Sequence, residues 1–448
     1  MAKTVRLEDG STYEILKKLG EGGQGAVFEV KSKADGKNYA LKVYLERMSP
    51  AFINNLRTNI VKGAPNDSFI WPLGLTEPLG EKKDRYGYLM DLYGKQYSSF
   101  PKIIKGRANF PSKEIQIAAL IDLVDSFEML HAKGYSYQDL NDGGVQFDCN
   151  TGNVLICDND NVAPFGENLG IIGKFKYMAP EVAINMFKPD KHSDRFSLAV
   201  LMFLMLLHAH PYDGIKRLSG QLTPALQEKV YGTEPVFIFH PTDKSNRPDA
   251  QIDANAIKAW PLLPDFIQEL FIKTFTSGMP SLGMKRDELD AARQGRTSEK
   301  EWKKALYRWL DTMAECPNCK KSLCVNVENN VINEQKCPHC GRKVKVSLPI
   351  LVIKKNGKVV RNIVLEDGKT IAKSSVTNER SNEAAFIVQR SKKRPDAYGI
   401  KNLLPYQWKC VQVGSKDRLV NTNEIVAAFN GVNIEFDYVY SGEIIYKF

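Results

Sequence analysis

The sequence has no long hydrophobic run. The longest continuous apolar stretch, residues 198–207, has ten residues, about half of what a transmembrane helix needs. The first residues, Met1-Ala2-Lys3-Thr4, lack the basic and apolar regions of a secretory signal peptide. We therefore expect a protein that does not interact with membranes and has a cytoplasmic location.

Cysteine is scarce, and half of the eight cysteines follow no pattern. The scattered ones are Cys149, Cys157, Cys324 and Cys410. The other four form two Cys-x-x-Cys pairs. This distribution does not fit a disulfide framework and is typical of a reducing compartment with one metal site.

The paired cysteines have the spacing of a zinc site. The pairs are Cys316–Cys319 and Cys337–Cys340, with 17 residues between them. Two thiolates from each of two turns complete a tetrahedral Zn²⁺ shell and leave no position for water. We predict a structural zinc ribbon over residues 312–345. His339 and Cys324 could also coordinate the zinc ion, but the simpler interpretation is that neither is a ligand.

Positive charge is concentrated in the C-terminal quarter. Residues 342–448 contain 19 Lys and Arg against 10 Asp and Glu, which is +9 of the net charge of +10. A solvated basic face is the simpler explanation, and a surface for nucleic acid or an acidic partner is the alternative. We do not expect nucleic acid as a partner.

A glycine-rich segment lies between two predicted strands. Gly20, Gly22 and Gly25 form Gly-x-Gly-x-x-Gly, whereas the same motif in a dinucleotide-binding fold opens a helix. Glycine lets a backbone approach phosphate oxygens closely, although glycine-rich hairpins are also ordinary structural features. Seventeen residues after Gly25, Lys42 interrupts an apolar strand. Because it follows this loop, we expect Lys42 to contact phosphate.

Two aspartates end apolar runs in the middle of the chain. Asp139 lies in Tyr-Ser-Tyr-Gln-Asp-Leu-Asn, and Asp158 follows Ile156-Cys157. Two such carboxylates can converge on one phosphate-metal centre, where one orients a hydroxyl and the other holds Mg²⁺. Aspartate is common in loops, so the pair gains its weight from the motifs around it.

Taken in order, these motifs resemble the eukaryotic-like (Hanks-type) Ser/Thr protein kinases of bacteria. The resemblance covers about residues 10–311 and implies an α+β, bilobal protein kinase fold, with an N-lobe over 1–93 and a C-lobe over 94–311. Further segments match in the same order: the hinge 88–93 with Met90 as gatekeeper, the long helix 115–130, Ala179-Pro180-Glu181, the buried central helix 198–207, the last helices 263–275 and 301–310, and Arg296 as the ion-pair partner of Glu181.

The resemblance also implies cofactors and roles. ATP would bind beneath the glycine loop, with Lys42 on its α- and β-phosphates. Asp158 would hold Mg²⁺ or Mn²⁺, and Asp139 would orient the Ser or Thr hydroxyl of a protein substrate. The adenine would be enclosed by Val27, Ala40, Met90 and the hinge backbone at Asp91 and Tyr93.

The metal site departs from the family pattern. Gly144 stands where the family has a metal-binding asparagine, and Asn141 could replace it only in a rearranged loop. The metal motif reads Asp158-Asn159-Asp160, so Asp160 offers a second carboxylate. The number of metal ions and the turnover are therefore open.

The partner of Lys42 is missing as well. Residues 49–60, where the family has a helix with a glutamate for this lysine, contain no glutamate and offer Asn54 and Asn55 instead. These losses leave a second interpretation open, a pseudokinase that binds nucleotide as a switch and acts as a scaffold.

The sequence also lacks the residues through which phosphorylation of the activation loop would control the enzyme. Gln138 replaces the arginine that reads an activation-loop phosphate in this family. Between Asp158 and Ala179 there is no Ser or Thr, and the only tyrosine, Tyr177, belongs to the Ala-Pro-Glu turn. We predict an enzyme that activation-loop phosphorylation does not switch.

Residues 346–448 alternate β-rich runs with turns and predict an all-β sandwich. The predicted strands are 349–354, 359–365, 385–389, 407–413, 433–440 and 443–448. The stretch from Gly399 through Asn430-Gly431 resembles the second half of a forkhead-associated domain. This region has no histidine, so we expect that fold without standard phosphothreonine recognition. The whole architecture resembles bacterial signalling kinases that occur with a metal-dependent phosphatase and a von Willebrand A protein, which implies both as partners.

Overall fold

The computed structural model describes residues 4–170, 173–217, 221, 223–281, 283–377, 381, 383–394, 396–412 and 416–446. It divides into two compact units. The first runs to Trp260 and adds Phe266–Lys303, and the second contains Pro261–Asp265 and the chain from Lys304 onward. Within the described residues, no helix is both long enough and apolar enough to cross a membrane.

The first unit begins with an antiparallel sheet in the order β1-β2-β3-β4-β6-β5. Its strands are β1 (Thr4–Arg6), β2 (Thr12–Glu21), β3 (Gly25–Ser32), β4 (Asn38–Tyr44), β5 (Gly74–Leu75) and β6 (Gly87–Asp91). Alternate residues of β3, Phe28 and Val30, are buried against Leu41 and Leu89, as expected for a strand with one face on a core. The three strands predicted around the glycine segment are confirmed.

Helix α1 (Pro50–Lys62) packs beside this sheet. Ser49 caps it by accepting the amide of Phe52, and Pro50 occupies its first turn, where a missing N–H costs nothing. Its apolar residues Phe52 and Leu56 are buried with Tyr44 of β4.

The rest of the first unit is mainly helical. The other α-helices in the described residues are α2 (Phe100–Ile104), α3 (Lys113–Ala132), α4 (Pro180–Ala183), α5 (Lys191–Leu207), α6 (Pro224–Glu228), α7 (Ala254–Ala259), α8 (Asp265–Phe275), α9 (Arg286–Gln294) and α10 (Glu299–Asp311). This unit also contains the short strands β7 (Tyr97–Ser99), β8 (Tyr135–Ser136), β9 (Val145–Asp148), β10 (Val154–Ile156) and β11 (Ala163–Pro164).

Helix α5 is the centre of this part. Residues 198–207 are all buried, which a helix apolar on every side requires. Asp190 caps its start through the amides of His192 and Ser193, and Phe203 packs edge-on against Phe271 at a centroid distance of 5.3 Å. The predicted long helix, central helix and last helices are confirmed as α3, α5, α8 and α10.

A buried ion pair closes this part of the fold. Arg296 Nη2 donates to Glu181 Oε2 at 2.7 Å, and both side chains are fully buried. This pair was predicted and is confirmed. Arg293, which the sequence did not single out, also contacts Glu181, at 3.2 Å. Two arginines lower the pKa of Glu181 although burial opposes this.

The second unit is almost entirely β. Its strands are β12 (Met313–Glu315), β13 (Ser322–Cys324), β14 (Val327–Glu328), β15 (Val331–Ile332), β16 (Gln335–Lys336), β17 (Lys343–Val344), β18 (Ile350–Lys355), β19 (Lys358–Val364), β20 (Thr370–Ala372), β21 (Ala384–Arg390), β22 (Tyr398–Asn402), β23 (Trp408–Val411), β24 (Arg418–Val420), β25 (Ile425–Ala427), β26 (Asn433–Glu435) and β27 (Tyr440–Ile445). From β18 on they form sheets ordered β19-β18-β27-β26-β23-β24 and β20-β21-β22-β25, which share one apolar core.

The predicted strand over 433–440 is confirmed only at its start, as β26, and is wrong from residue 436 to residue 439. The chain turns between β26 and β27, because Asp437 accepts the amides of Val439 and Tyr440 at 2.7 and 2.6 Å. Strands β20, β22, β24 and β25 were not predicted. Val413, Lys447 and Phe448, the ends of two predicted strands, lie outside the described residues.

We expect Arg296→Ala to lower the free energy of unfolding by about 3–5 kcal/mol, because it leaves the Glu181 carboxylate buried without its main partner. Urea unfolding followed by tryptophan fluorescence measures the change. Lys229→Ala is the matched control, since its pair with Glu234 is more than half exposed, and its cost should stay within about 1 kcal/mol. Equal values for the two variants would contradict this assignment.

Candidate active site

The glycine segment forms the turn between β2 and β3. The amide of Gly22 donates to the carbonyl of Gly25 at 2.9 Å. A Cβ on Gly20 or Gly22 would meet nothing within 4 Å, whereas a Cβ on Gly25 would lie 2.7 Å from the carbonyl oxygen of Val43. Gly25 is therefore required by packing on β4, and Gly20 and Gly22 leave open space in front of the loop.

Lys42 lies on β4, beside this loop, and is only 7% exposed. Its Nζ donates to Asp160 Oδ2 at 2.9 Å and lies 3.6 Å from Asp158 Oδ1. Burial alone would lower the pKa of Lys42, but the two carboxylates offset this effect and the pKa is raised. Lys42 is therefore a buried, charged ammonium.

Asp160 is fully buried. Besides Lys42, it accepts the hydroxyl of Tyr44 at 2.7 Å and that of Tyr88 at 3.3 Å. Burial, reinforced by the charge of Asp160, raises the pKa of both tyrosines well above the usual value, so both remain donors. The sequence leaves Asp160 open as a second carboxylate for a metal. In the structure this carboxylate is fully buried and already accepts from three donors.

Asn54 and Asn55, which the sequence offers where the family has its glutamate, do not contact Lys42 but bond elsewhere. The Asn55 amide donates to the carbonyl of Val162 at 2.8 Å, and Asn59 donates to the same oxygen at 2.8 Å. Asn54 accepts from Arg57 at 2.8 Å. Helix α1 is thus tied to the segment that follows Asp160.

Asp158 is the accessible carboxylate of this segment. Its backbone is left-handed, with φ +53°, and its side chain is 53% exposed. The next residue, Asn159, is fully buried and donates to the carbonyls of Ile70 and Ile156, both at 2.8 Å. Partial burial raises the pKa of Asp158, although Lys42 opposes the shift.

The loop that carries Asp139 is hydrogen-bonded to Asp194 of helix α5. Asp194 accepts the amides of Tyr137 and Gln138 at 2.6 and 3.2 Å. Its Oδ2 also lies 3.1 Å from Nε2 of the buried His131. These contacts hold Gln138 at φ +72°, an uncommon conformation for this residue type.

Asp139 Oδ1 accepts the Asn141 amide at 2.9 Å and the backbone amide of Lys174 at 3.2 Å. Burial raises the pKa of Asp139, and the nearby charge of Asp158 adds to the increase. Asn141 Oδ1 accepts the amide of Gly143 at 2.8 Å. Asn141 therefore supports Asp139, and the loop is not rearranged to present it as a metal ligand.

Gly144 is explained by Tyr137. A Cβ on Gly144 would lie 2.7 Å from the Tyr137 hydroxyl oxygen. The Tyr137 ring is fully buried, and its hydroxyl donates to the carbonyl of Cys157. The phenol therefore occupies the space that a larger side chain at position 144 would need. Sequence reasoning missed this, although Tyr137 lies in the motif.

The predicted adenine site lies where β4 and β6 pair. Ala40 is opposite Met90, and Lys42 is opposite Tyr88. Asp91 and Tyr93 follow at the exposed end of β6, and the Tyr93 hydroxyl accepts from the Gln146 amide. Val27 of β3 is opposite Lys42 and is partly buried.

A family model described as a protein kinase domain matches residues 13–259, more than half of the chain. The chain belongs to the protein kinase family. The predicted bilobal kinase fold is thereby confirmed, with the β1–β6 sheet and α1 in one lobe and the helical part in the other.

Among curated proteins, the chain is similar to several serine/threonine kinases. It is 26% identical over 220 residues to the serine/threonine-protein kinase AtPK2/AtPK19 of Arabidopsis thaliana, covering 47% of this chain and 44% of that protein. It is 28% identical over 219 residues to ribosomal protein S6 kinase alpha-2 of Homo sapiens, covering 47% of this chain and 29% of that protein. The chain spans less than half the length of the curated relatives that it matches.

The activation segment of this kinase domain is held by direct contacts. The Gln138 amide donates to the carbonyl of Glu167 at 2.6 Å. Lys174 and Lys176 pair with Asp142 and Asp213 at 2.8 and 2.7 Å. Residues 171–172 of the segment lie outside the described residues.

The second unit carries a cluster of four cysteines. The Sγ atoms of Cys316, Cys319, Cys337 and Cys340 all lie within 4.8 Å of one another. The two turns are alike: the Cys316 amide donates to Lys321, and the Cys337 amide donates to Arg342, both at 2.9 Å. Four converging thiols are compatible with Zn²⁺.

His339 and Cys324 have other contacts. The Nε2 of His339 lies 2.9 Å from the carbonyl of Ser322. The Sγ of Cys324 lies 3.1 Å from the Thr312 hydroxyl. Neither belongs to the four-cysteine group.

Proposed function

We propose that this chain is an ATP-dependent protein kinase that phosphorylates serine or threonine in protein substrates. The observation that carries the proposal is the close approach of the buried Lys42 to the accessible Asp158, with Asp139 near enough to Asp158 for the two carboxylates to interact. Lys42 lies 3.6 Å from Asp158, and the charge of Asp158 acts on Asp139. The names of the curated relatives support the choice of substrate residue.

In this proposal the residues keep the roles expected from the sequence. Gly20, Gly22 and Gly25 cover the phosphates. The ammonium of Lys42 donates to the α- and β-phosphates while it remains bound to Asp160, since it has three protons to donate.

The adenine lies between Val27, Ala40 and Met90, and the hinge backbone at Asp91 and Tyr93 reads its edge. The exposed end of β6 supports this placement, because it leaves the hinge open to a ligand.

Asp158 fits a divalent cation, because it is the accessible carboxylate beside Lys42. Of the two neighbouring positions where a further ligand was considered, Asp160 is buried and Gly144 has no side chain. Mg²⁺ is commonly held by one carboxylate together with phosphate oxygens and water, so this donor set suits Mg²⁺ or Mn²⁺. The cation would neutralise charge on the transferred phosphate.

Asp139 orients the substrate hydroxyl and accepts its proton. The amides of Asn141 and Lys174 fix one carboxylate oxygen, which leaves the other for the substrate. Burial raises the pKa of Asp139, and this makes it a better proton acceptor. Because the protein mainly positions groups and stabilises charge, the fixed geometry is the basis of the proposed rate enhancement.

We further propose that activation-loop phosphorylation does not control this kinase. The Gln138–Glu167 contact joins the catalytic loop to the activation segment directly, in the place where the family uses an arginine and a phosphate. The absence of Ser and Thr between Asp158 and Ala179 supports the same view.

The second unit would serve as a structural and docking module. We propose that the four cysteines bind one Zn²⁺ as a ribbon and that the two sheets form a forkhead-associated-like sandwich that does not read phosphothreonine. The cognate phosphatase and the von Willebrand A protein rest on the resemblance of the architecture alone, and co-purification with this chain would test them.

Purified protein incubated with labelled ATP and Mg²⁺ or Mn²⁺ should transfer label to protein. Asp139→Asn should lower transfer by about 10²–10⁴-fold and leave ATP affinity within about twofold of the native value. Asp67→Asn, a change at an exposed aspartate, is the matched control and should keep full activity. Phosphatase treatment before the assay should change nothing.

Three results would contradict this account. Label that Asp139→Asn does not reduce would remove the catalytic assignment. Activity that phosphatase treatment abolishes, with phosphate mapped to Tyr177, would overturn the claim about regulation. No transfer with either metal, together with ATP binding that needs Lys42, would establish the pseudokinase scaffold.

Metal removal tests the ribbon. The native protein should contain one zinc per chain by plasma mass spectrometry, and Cys337→Ser should lose it. The thermal midpoint of the second unit should fall as well, because Cys316 and Cys337 share a core with Ile350 and Val352 of β18. Cys149→Ser, outside the cluster, is the control and should retain zinc. Zinc-free native protein of unchanged stability would contradict the assignment.

A further inference from the structure

The buried ion pair of Lys42 and Asp160 joins two segments 118 residues apart. Lys42 is 7% exposed and Asp160 is fully buried. A charge in such a place is tolerated only with close partners, because desolvation is expensive. The Nζ–Oδ2 distance of 2.9 Å makes Asp160 the closest acidic partner of Lys42.

Helix α1 cannot provide such a partner. Its sequence from Pro50 to Lys62 contains no Asp or Glu. Its two inward asparagines, Asn55 and Asn59, already donate to the carbonyl of Val162. The carboxylate that holds Lys42 must therefore come from outside the helix.

The surroundings of Asp160 fix its direction. Tyr44 donates to the same oxygen as Lys42, Oδ2, and Tyr88 donates to Oδ1. Both tyrosines lie on strands of the same sheet as Lys42. The carboxylate is thus bound at both oxygens and cannot turn toward a ligand on the Asp158 side.

We propose that Asp160 is the positioning residue of Lys42, and that it holds the ammonium at the phosphate site in the place of a helix-borne glutamate. The inference rests on the proposed ATP site but not on phosphoryl transfer. The two aspartates then have different roles. The exposed carboxylate of Asp158 is available to the cation, and the buried carboxylate of Asp160 holds Lys42.

This arrangement couples Lys42 to helix α1 through the segment that begins at Asp158. Lys42 is bound by the segment that begins at Asp158, and the same segment is tied to α1 through Val162. Among the described residues, the other acidic neighbour that pairs with Lys42 is Asp158, at 3.6 Å. Without Asp160, the lysine would compete with the cation for that carboxylate.

The test is a double-mutant cycle in which nucleotide affinity is measured for each variant. The dissociation constant of a fluorescent ATP analogue with Mg²⁺ is measured for the native protein, Asp160→Asn, Lys42→Met and the double variant. Asp160→Asn should weaken binding by about tenfold or more, as expected for loss of a hydrogen bond to a charged group. In the Lys42→Met background, the same change should alter affinity by less than about twofold, because Asp160 acts only through the lysine.

Asp67→Asn is the matched control and should leave affinity unchanged, since that side chain is exposed. Tyr88→Phe provides a milder variant that removes one donor to Asp160, in case Asp160→Asn does not fold. It should weaken binding by a smaller factor than Asp160→Asn, again only when Lys42 is present.

An equal loss in both backgrounds would overturn the proposal and leave Asp160 with a purely structural role. Native affinity in Asp160→Asn would overturn it as well. Because the readout is binding, a kinase-inactive protein that shows the predicted cycle would refute the proposed function and keep this inference.

Discussion

A single buried charge, the ammonium of Lys42, constrains much of the proposed nucleotide site. Removing it from water is costly unless a carboxylate and further hydrogen bonds compensate. Here the carboxylate is Asp160, and Tyr44 and Tyr88 complete its shell. The segment that carries Asp160 is in turn anchored by Asn159 and by the Val162 carbonyl. The β1–β6 sheet and the segment that carries Asp160 therefore meet at one ion pair, and helix α1 is tied to the same segment through Val162.

The catalytic loop is organised around a different buried carboxylate. Asp194, on the central helix, accepts two consecutive backbone amides of the loop and contacts His131. This fixes where Asp139 is presented. The same loop carries Tyr137, whose phenol occupies the space beside Gly144. Tyr137 and Gly144 thus form a matched pair, and the Tyr137 phenol fills the space that an asparagine at position 144 would need.

Local patterns predicted much of the fold and of the candidate site. Apolar periodicity predicted the long helix and the central helix, and the glycine spacing predicted the β2–β3 turn. The Glu181–Arg296 pair and the cysteine cluster followed from motifs that use particular residue types at particular spacings. Family membership explains why these local patterns were sufficient, since each motif has one place in the kinase fold.

Contacts between distant residues of unusual type could not be predicted. Nothing near Lys42 in the sequence points to Asp160, and an aspartate two positions after Asp158 reads as a metal ligand. The clash between Gly144 and the Tyr137 hydroxyl depends on packing that no spacing rule contains. In the second unit, a run of β-forming residues concealed the turn at Asp437, where a side chain accepts two amides and ends the strand.

The most direct test is a crystal structure with a non-hydrolysable ATP analogue and Mn²⁺, with the metal located by its anomalous signal. We expect manganese at Asp158, none at Asp160, and the Lys42 ammonium between Asp160 and the phosphates. A manganese ion bridging Asp158 and Asp160, or a Lys42 side chain paired with a different carboxylate, would contradict the account.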